Sequence, residues 1–488
     1  MIAVLLLLVF VAPFIGYAFK RNYAIGNMIH TVIAVVLSIA LIVLVKFIKT
    51  KCTKINNFIN SKQGFRLIII IGTAILLCLE VFIVCGGWFI VGWDTRNVIF
   101  PDMQIDNDYM SMYPNQLFLA GIFRSIYLCI NDFNTYYFTL VLISAVLTCL
   151  CVILIVFISK KLTNNFCAIA TFLLAAIFIG LSPWIMVPYS DNFAMFCTTF
   201  CLFTYVCIKP KPLKWGLIFF IGLLGVAIKP TVIFVIISVV IVELILLFIK
   251  KKETSTKNVV LSIATIVISI IVSSGIVNTV SNYGVSINDE DSFTHTHFLM
   301  MGINRENDGA WNIDDVNFSR SFFDVKSREE ANIKEWETRL FTYGPIEISR
   351  IFIYKTMTNY GDGAFAWEAE RPWCIENRGT NPLVWAFYGI DPADNLNDNN
   401  NYFAYVWQVM WIMIIIGNIA MLFNKKQKPA EYVMCFSMLA ISAFLTIFEP
   451  DPRYLMLYVP FMVIIAPWGF KHGVLYFDKF QNLRTKNS

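Results

Sequence analysis

Residues 67–91 read LIIIIGTAILLCLEVFIVCGGWFIV, an apolar stretch whose single charged side chain is Glu80. A helix that crosses a bilayer needs about 20 mostly apolar residues, so this stretch is long enough for one crossing. It is followed by WDTRNVIFPDMQIDNDYMSMYPNQ, residues 93–116, which contains four aspartates. The sequence therefore predicts a membrane helix with an acidic loop directly after it.

The composition indicates that similar apolar stretches recur along the chain. Of 488 residues, 58% are hydrophobic and only 15% are charged, and the mean hydropathy is +0.66. This leaves too little polar surface to enclose a water-soluble globule. We therefore expect an all-α polytopic membrane protein with about twelve transmembrane helices. The predicted crossings are residues 1–19, 28–48, 67–92, 136–158, 166–186, 192–208, 215–229, 230–249, 258–280, 402–423, 430–448 and 454–470.

The basic residues predict the orientation of these helices, because lysine and arginine are enriched in cytoplasmic loops. The first stretch lacks a basic region before its apolar run and a small-residue cleavage site, so we expect a retained helix rather than a cleaved signal peptide. With the N- and C-termini in the cytoplasm, one basic pair, Lys20–Arg21, lies outside. The inner segments are then all lysine-rich: residues 49–66, 160–162, 209–214, 250–257, 424–428 and the tail from 471.

This topology divides the chain into three parts. Residues 1–280 form an N-terminal membrane domain with an acidic outer loop at 93–135. Residues 281–401 form an extracytoplasmic region of mixed loops, and residues 402–488 contain C-terminal membrane helices and a basic cytoplasmic tail. Within the outer loop, residues 115–130 carry a single arginine, which favours a helix that lies at the membrane surface.

The cysteines and several isolated polar residues give weaker indications. Most of the twelve cysteines lie in or beside apolar segments, so no disulfide framework is predicted. Glu80 falls near the middle of its helix, where we expect an interhelical hydrogen bond in the protonated form. His295 and His297 would share one face of a strand, as metal ligands could, but no further ligands are clustered near them in the sequence.

Several short motifs lie at the outer ends of the predicted helices. The acid Asp94, followed by Thr95, comes just after a membrane helix, and Tyr113–Pro114–Asn115 follows further along. The order then continues with Tyr189–Ser190–Asp191, with Ile228–Lys229–Pro230–Thr231 between two short helices, and with Arg453–Tyr454 before Pro460.

This order of motifs resembles the GT-C-fold membrane glycosyltransferases, which include protein O-mannosyltransferases and aminoarabinose transferases. In that superfamily an acid, often Asp-Glu, follows a membrane helix and precedes a Tyr-Pro-Pro or Lys-Pro-Pro turn. Here Thr95 replaces the usual glutamate, Asn115 replaces the second proline, and two extra helices precede the acidic loop.

The resemblance implies a transferase that moves a sugar from a polyprenyl-phosphate donor, with inversion, to a glycan, lipid or protein outside the membrane. One carboxylate can act as the base that deprotonates the acceptor hydroxyl. Asp94 is the first candidate, and Asp106 and Asp108 are the alternatives. The competing interpretation of Asp94 is a solvated acid that caps the next short helix.

The resemblance also implies which residues contact the substrates. Lys229 would contact the donor phosphate, unless its side chain simply extends toward water. Arg453 would hold the phosphate bidentately, unless it pairs with Glu449 or Asp451 instead. The remaining substrate-binding candidates are Tyr113, Asp191 and Arg124.

Two other functions compete with the transferase. A flippase for lipid-linked glycans would also need a cationic groove in the membrane, but transporters usually contain repeated halves, and this chain is asymmetric. A polysaccharide polymerase is the other multi-pass alternative. No metal site is predicted, although a divalent cation remains possible. Partners would be the bilayer, the lipid donor and the acceptor but not nucleic acid, and the Lys-, Asn- and Ile-rich composition suggests a bacterial cell membrane.

Overall fold

The structure is a computed structural model of the chain, and it describes residues 2–18, 28–100, 108–250, 255–283, 287–390, 402–424 and 427–484. The described part is mainly α-helical, with one two-stranded antiparallel pair. The prediction of an all-α polytopic membrane protein is confirmed.

The first thirteen helices lie before residue 282. They are α1 (Ile2–Ala18), α2 (Met28–Lys51), α3 (Thr53–Asn60), α4 (Lys62–Gly87), α5 (Asp94–Ile99), α6 (Asp108–Met112), α7 (Leu117–Ile130), α8 (Phe133–Leu162), α9 (Asn165–Ala175), α10 (Ser190–Cys207), α11 (Lys211–Ile228), α12 (Ile233–Lys250) and α13 (Thr256–Ser281), with strand β1 (Phe89–Val91) between α4 and α5.

The second part of the chain begins with short helices and ends with long apolar ones. Its elements are α14 (His295–Met301), α15 (Ile313–Arg320), α16 (Val325–Gly361), α17 (Trp367–Glu370), β2 (Cys374–Asn377), α18 (Pro382–Tyr388), α19 (Tyr402–Leu422), α20 (Pro429–Ile447) and α21 (Val459–Arg484). A 3₁₀ helix, Pro452–Tyr458, leads into α21.

Nine helices of the described residues are long and apolar enough to cross a membrane. They are Met28–Ile48, Lys62–Gly87, Phe133–Leu162, Lys211–Ile228, Pro230–Ile249, Thr256–Ser281, Tyr402–Leu422, Pro429–Ile447 and Pro452–His472. Two further apolar helices, Ile2–Ala18 and Asn165–Gly180, are shorter. Each predicted crossing is mostly helical, but the count of about twelve crossings stays a prediction.

Helix α10 occupies the centre of the helical part, where it packs against α8, α11 and the 3₁₀ helix Pro452–Tyr458. Buried polar side chains fix these contacts. The Asn192 side chain donates to Ser144 Oγ and to the Trp184 carbonyl, both at 2.6 Å. Thr198 Oγ1 donates to the Leu457 carbonyl at 2.6 Å. Because a buried polar group without a partner is costly, these bonds fix where the first half of α10 lies relative to the 3₁₀ helix.

The region predicted as mixed loops contains a long helix that packs against two apolar helices. Helix α16 is kinked at Gly344, where φ is 69°, and Pro345 follows. The residues after this kink pack against α1 and α20. The Tyr17 hydroxyl donates to the Gly361 carbonyl at 2.9 Å, which fixes the end of α16 against α1.

The two strands bring distant segments together beside the end of α4. Strand β1 pairs antiparallel with β2, and the Gly92 amide donates to the Trp373 carbonyl at 2.8 Å. This pairing places Trp93 and Asp94 next to the segment that contains Glu370.

The expected hydrogen bond of Glu80 is wrong. Glu80 lies fully buried in α4, and neither of its carboxyl oxygens has a hydrogen-bond partner among the described residues. The sequence predicted that this acid lies within an apolar helix long enough to cross a membrane, but it could not show that the carboxyl group lies beside Gly180, which has no side chain to donate a hydrogen bond.

The predicted topology can be tested at the two ends of α13, where Ser255 and Asn282 are both exposed. In a background without reactive cysteines, Asn282→Cys should be labelled by a membrane-impermeant thiol reagent added outside intact cells. Ser255→Cys is the matched control and should be labelled only after the cytoplasmic side is opened. The opposite result at both positions would overturn the orientation.

Candidate functional site

Lys229 lies at the break between α11 and α12. Pro230 has no amide hydrogen and disfavours a helical conformation at the preceding residue, so α11 ends at Ile228. The Lys229 side chain is mostly buried, and its ammonium group donates a hydrogen bond to Asp191 Oδ1. Burial lowers the pKa of Lys229, and the adjacent Asp191 carboxylate offsets part of this effect.

Asp191 accepts contacts from two cations. It lies in the first turn of α10, where the helix dipole favours a negative charge. Its side chain is 3% exposed. Besides the contact with Lys229, its Oδ2 lies 3.7 Å from Arg453 Nε. The structure therefore brings together Asp191, Lys229 and Arg453, three residues that the sequence analysis named from separate motifs.

Arg453 is enclosed by carboxyl groups. Its NH2 nitrogen lies 3.4 Å from Asp451 Oδ2, and its NH1 nitrogen lies 3.5 Å from Glu370 Oε1. Asp451 also accepts the Arg453 backbone amide at 2.8 Å, which caps the 3₁₀ helix. Although the side chain is buried, Nε and NH1 make no hydrogen bond to described residues. These two N–H groups can therefore donate to an anion.

Four aromatic rings surround the two cations. The centre of the Arg453 guanidinium lies 4.5 Å from the Trp93 ring, and the rings of Tyr189, Trp184 and Tyr454 lie at 5.6, 5.7 and 5.8 Å. The Lys229 ammonium lies 4.5 Å from the Tyr454 ring. Such contacts stabilise a cation and fix its orientation. Both cations are therefore held in place by neutral groups as well as by carboxylates.

Asp94 begins α5, directly after Trp93. It is hydrogen-bonded to Tyr109, which is in turn hydrogen-bonded to Tyr189. Because an ionised carboxylate can only accept, the hydrogen bond to Asp94 is donated by the Tyr109 hydroxyl. Gln116 completes the chain by donating to the Tyr189 hydroxyl at 2.9 Å. Asp94 is thus oriented by side chains from three separate segments.

The environment of Asp94 makes its carboxylate more basic than usual. The side chain is accessible to solvent, but the surrounding protein excludes most of the bulk water. This loss of hydration raises the pKa of Asp94, while Arg453 and the hydrogen bond from Tyr109 partly oppose the rise. Asp94 is the first residue of α5, after Trp93 at the N-cap position, so the interpretation of Asp94 as a solvated acid beside the start of this helix remains the alternative to a catalytic role.

The structure adds two carboxyl groups that the sequence analysis did not assign to the site. Burial raises the pKa of Glu370 to about 7. Burial raises the pKa of Glu449 to about 8, with further contributions from Asp451 and Asp94. Glu449 was considered in the sequence as a partner of Arg453, but the structure gives that position to Asp451, Glu370 and Asp191.

The other predicted residues have different outcomes. Tyr113 lies close enough to Asp94 and Glu449 for their charges to raise its pKa, although burial is the larger cause. Arg124 lies half-buried on α7. Asp106 lies outside the described residues, as does the side chain of Asp108, whose backbone begins α6.

The expectation that His295 and His297 lie on one face of a strand is wrong, because both residues belong to helix α14. Residues two positions apart on a helix point in different directions. The His297 ring lies within 2.8 Å of Ser319 Oγ through Nδ1, and burial lowers its pKa to about 4, which keeps it neutral. Among the described residues no three potential ligands are grouped for a metal ion.

The chain was compared with known protein families and curated proteins. A model of a family described as "Conserved hypothetical integral membrane protein" matches residues 1–474. The chain belongs to this family. No curated protein matches the chain. The family assignment agrees with the helical membrane architecture. Its description names no reaction and no substrate.

The cluster makes a prediction about stability in detergent. Asp191→Asn removes a carboxylate that contacts both Lys229 and Arg453, and breaking a buried pair in this way typically costs about 3 to 5 kcal/mol. We therefore expect a clearly lower apparent melting temperature, part of which returns in the double variant Asp191→Asn/Lys229→Met.

The matched control is Glu376→Gln, which removes a carboxylate from an exposed pair with Arg378. Such exposed pairs contribute little, so its melting temperature should stay close to that of the wild type. Equal effects of Asp191→Asn and Glu376→Gln would show that the buried cluster does not stabilise the fold.

Proposed function

We propose that this protein is a membrane glycosyltransferase that moves a sugar from a polyprenyl-phosphate donor to an acceptor outside the cytoplasm. The observation that carries the proposal is the position of Asp94. Its neighbour Trp93 packs 4.5 Å from the guanidinium of Arg453, and Arg453 shares Asp191 with Lys229. An accessible carboxylate and two buried cations thus occupy one cluster, as the resemblance to GT-C-fold transferases implies.

The two cations supply the contacts that a lipid phosphate needs. Arg453 has two buried N–H groups without hydrogen-bond partners among the described residues, and Lys229 lies beside it on the other side of Asp191. A guanidinium can bind phosphate bidentately, and an ammonium adds a point charge. A bound phosphate would replace part of the contact that Asp191 makes with both cations.

Asp94 supplies the base. In the reaction, the acceptor oxygen forms a bond to the anomeric carbon while the bond from that carbon to the phosphate oxygen breaks. The bonding electrons leave with the phosphate, and the acceptor proton moves to the Asp94 carboxylate. Direct attack of this kind inverts the configuration of the sugar. The raised pKa of Asp94 brings its basicity closer to neutral pH, where a general base is most effective.

The location of the reaction follows from the predicted orientation of the helices. The lysine-rich segments support an orientation in which Asp94 and the loop before Arg453 lie on the extracytoplasmic side. The donor would then be made on the cytoplasmic side and turned over before use. The acceptor would be a glycan, lipid or protein of the cell envelope, and the membrane the cell membrane of a bacterium.

Two alternatives use the same cations differently. A flippase would need Lys229 and Arg453 but no oriented base, so the hydrogen-bond chain from Gln116 to Asp94 would have no role in it. A polysaccharide polymerase would depend on arginines of its outer loops. An activity that is lost on substitution of Arg453 but not of Asp94 would favour these alternatives.

The proposal predicts the effect of Asp94→Asn in a living cell. A strain without the protein should lack one sugar from its envelope glycans, and the wild-type gene should restore it. Asp94→Asn keeps the size of the side chain but removes its basicity, and a positioned base typically contributes about 10² to 10⁴ in rate. We expect the variant to reach the membrane at normal levels and to leave the sugar missing.

The control variants are Asp106→Asn and Asp108→Asn, which remove the two other candidate bases of the same loop. Both should restore the sugar. If Asp94→Asn restores the sugar and one of the controls does not, the proposal has the wrong aspartate as the base. Restoration by all three variants would remove the basis of the proposed mechanism.

A further inference from the structure

More carboxyl groups than cations surround the proposed phosphate site. Arg453 interacts electrostatically with five carboxyl groups, whereas Lys229 is the second cation of the cluster among the described residues. The carboxyl groups are those of Asp94, Asp191, Glu370, Glu449 and Asp451. If all five were ionised, the cluster would be strongly negative and would repel a phosphate.

Two of these carboxyl groups, Asp94 and Glu449, differ from the other three because no cation of the described residues lies within ion-pair distance of them. Asp191, Glu370 and Asp451 lie within 3.7, 3.5 and 3.4 Å of Arg453 nitrogens. Asp94 accepts a hydrogen bond from Tyr109. No lysine or arginine nitrogen of the described residues lies within ion-pair distance of Glu449. Its hydrogen-bond partner is the Tyr454 hydroxyl, at 3.4 Å, which is long for such a bond.

Tyr454 also connects Glu449 to the cations. The Tyr454 ring lies 4.5 Å from the Lys229 ammonium and 5.8 Å from the Arg453 guanidinium. A phosphate bound to Lys229 and Arg453 would therefore be separated from Glu449 by a single side chain. At this separation, inside a protein, a charge on Glu449 would still act on the phosphate.

We infer that Glu449 controls phosphate binding through its proton: the protonated carboxyl group permits binding at the Lys229–Arg453 pair, and the ionised group opposes it. This inference rests on the proposed function and adds a regulatory residue to the same site. Glu449 acts through the charge of the cluster and is a positioning residue rather than a catalytic one.

The other titratable groups that face Glu449 affect the same range of pH. From its own segment these are Asp451, Arg453 and Tyr454, and from other elements Asp94, Tyr113 and Lys355. Lys355 of α16 is fully buried, and its ammonium group donates to the Gly302 carbonyl at 2.6 Å. Burial lowers the pKa of Lys355 to about 7, although the charge of Glu449 opposes this.

The direction of the pH effect follows from these pKa values. Below its pKa of about 8, Glu449 carries a proton and adds no negative charge. As the pH rises, Lys355 loses its positive charge and Glu449 gains a negative one. Both changes make the surroundings of the phosphate more negative, so binding should weaken with rising pH. Deprotonation of Lys229 would act in the same direction, and the variants below separate it from Glu449.

The test measures binding of polyprenyl phosphate to the full-length protein in lipid nanodiscs between about pH 7 and pH 9. In this range the phosphate group is already largely doubly ionised, because its second pKa is about 6. For the wild type we expect binding to weaken about tenfold across the range. Glu449→Gln mimics the protonated carboxyl group, so it should keep most of its affinity at high pH. The control Glu376→Gln changes an exposed outer carboxylate and should lose affinity as the wild type does.

Several outcomes would overturn the inference. If Glu449→Gln loses affinity with pH as steeply as the wild type, Glu449 is not the controlling group. If it folds normally but does not bind at any pH, the charged form is required. Glu449→Met is a second neutral variant, which gives the same test should Glu449→Gln fail to fold. If the wild type does not bind polyprenyl phosphate at any pH, the proposed function itself fails. If it binds with no dependence on Glu449, the transferase proposal stands and the inference alone is rejected.

Discussion

The arrangement of the helices around α10 depends on one interaction, the contact of Asp191 with both Lys229 and Arg453. Three charges held away from water are costly unless they neutralise one another. The contact joins the start of α10, the break between α11 and α12, and the 3₁₀ helix before α21. Because these segments are far apart in the chain, satisfying the charges fixes how α10, α11, α12 and the start of α21 meet.

The neutral surroundings of the cluster determine what the cations can do. The aromatic rings around Arg453 restrict its movement while leaving two of its N–H groups without hydrogen bonds to described residues. The Tyr109 hydroxyl orients Asp94 beside the cations but outside their ion pairs. Asp94 therefore lies next to the cations, and different side chains hold the acid and the cations in place. This arrangement suits a reaction in which one group takes a proton and the others hold a leaving phosphate.

Much of this architecture was predictable from the sequence, because long apolar runs and lysine-rich loops carry strong physical signals. The break at Lys229 was predictable from Pro230 and from the length of the run around it. The packing of α16 against α1 and α20 was not predictable, because Glu347, Arg350 and Lys355 interrupt the hydropathy of this helix. Its burial depends on partners such as the Gly302 carbonyl, which lies more than fifty residues away in the chain. The strand interpretation of His295 and His297 failed because two residues cannot distinguish the periodicity of a strand from that of a helix.

The residues of the candidate site also divide into those that were predictable from the sequence and those that were not. Asp94, Asp191, Lys229 and Arg453 could be named as candidates from the sequence because each lies at a predicted outer boundary and matches a motif in order; their roles stay predictions. Glu370 was not found, since it reaches Arg453 only through the pairing of β1 with β2.

The central claim is that Lys229 and Arg453 bind the phosphate of a lipid donor beside Asp94. An electron cryo-microscopy structure of the protein in nanodiscs with polyprenyl phosphate tests this claim most directly. We expect phosphate density between the Lys229 ammonium and the Arg453 guanidinium, within reach of Asp94. Phosphate bound instead among the lysine-rich loops of the opposite face, with the Asp191 contacts unchanged, would contradict it.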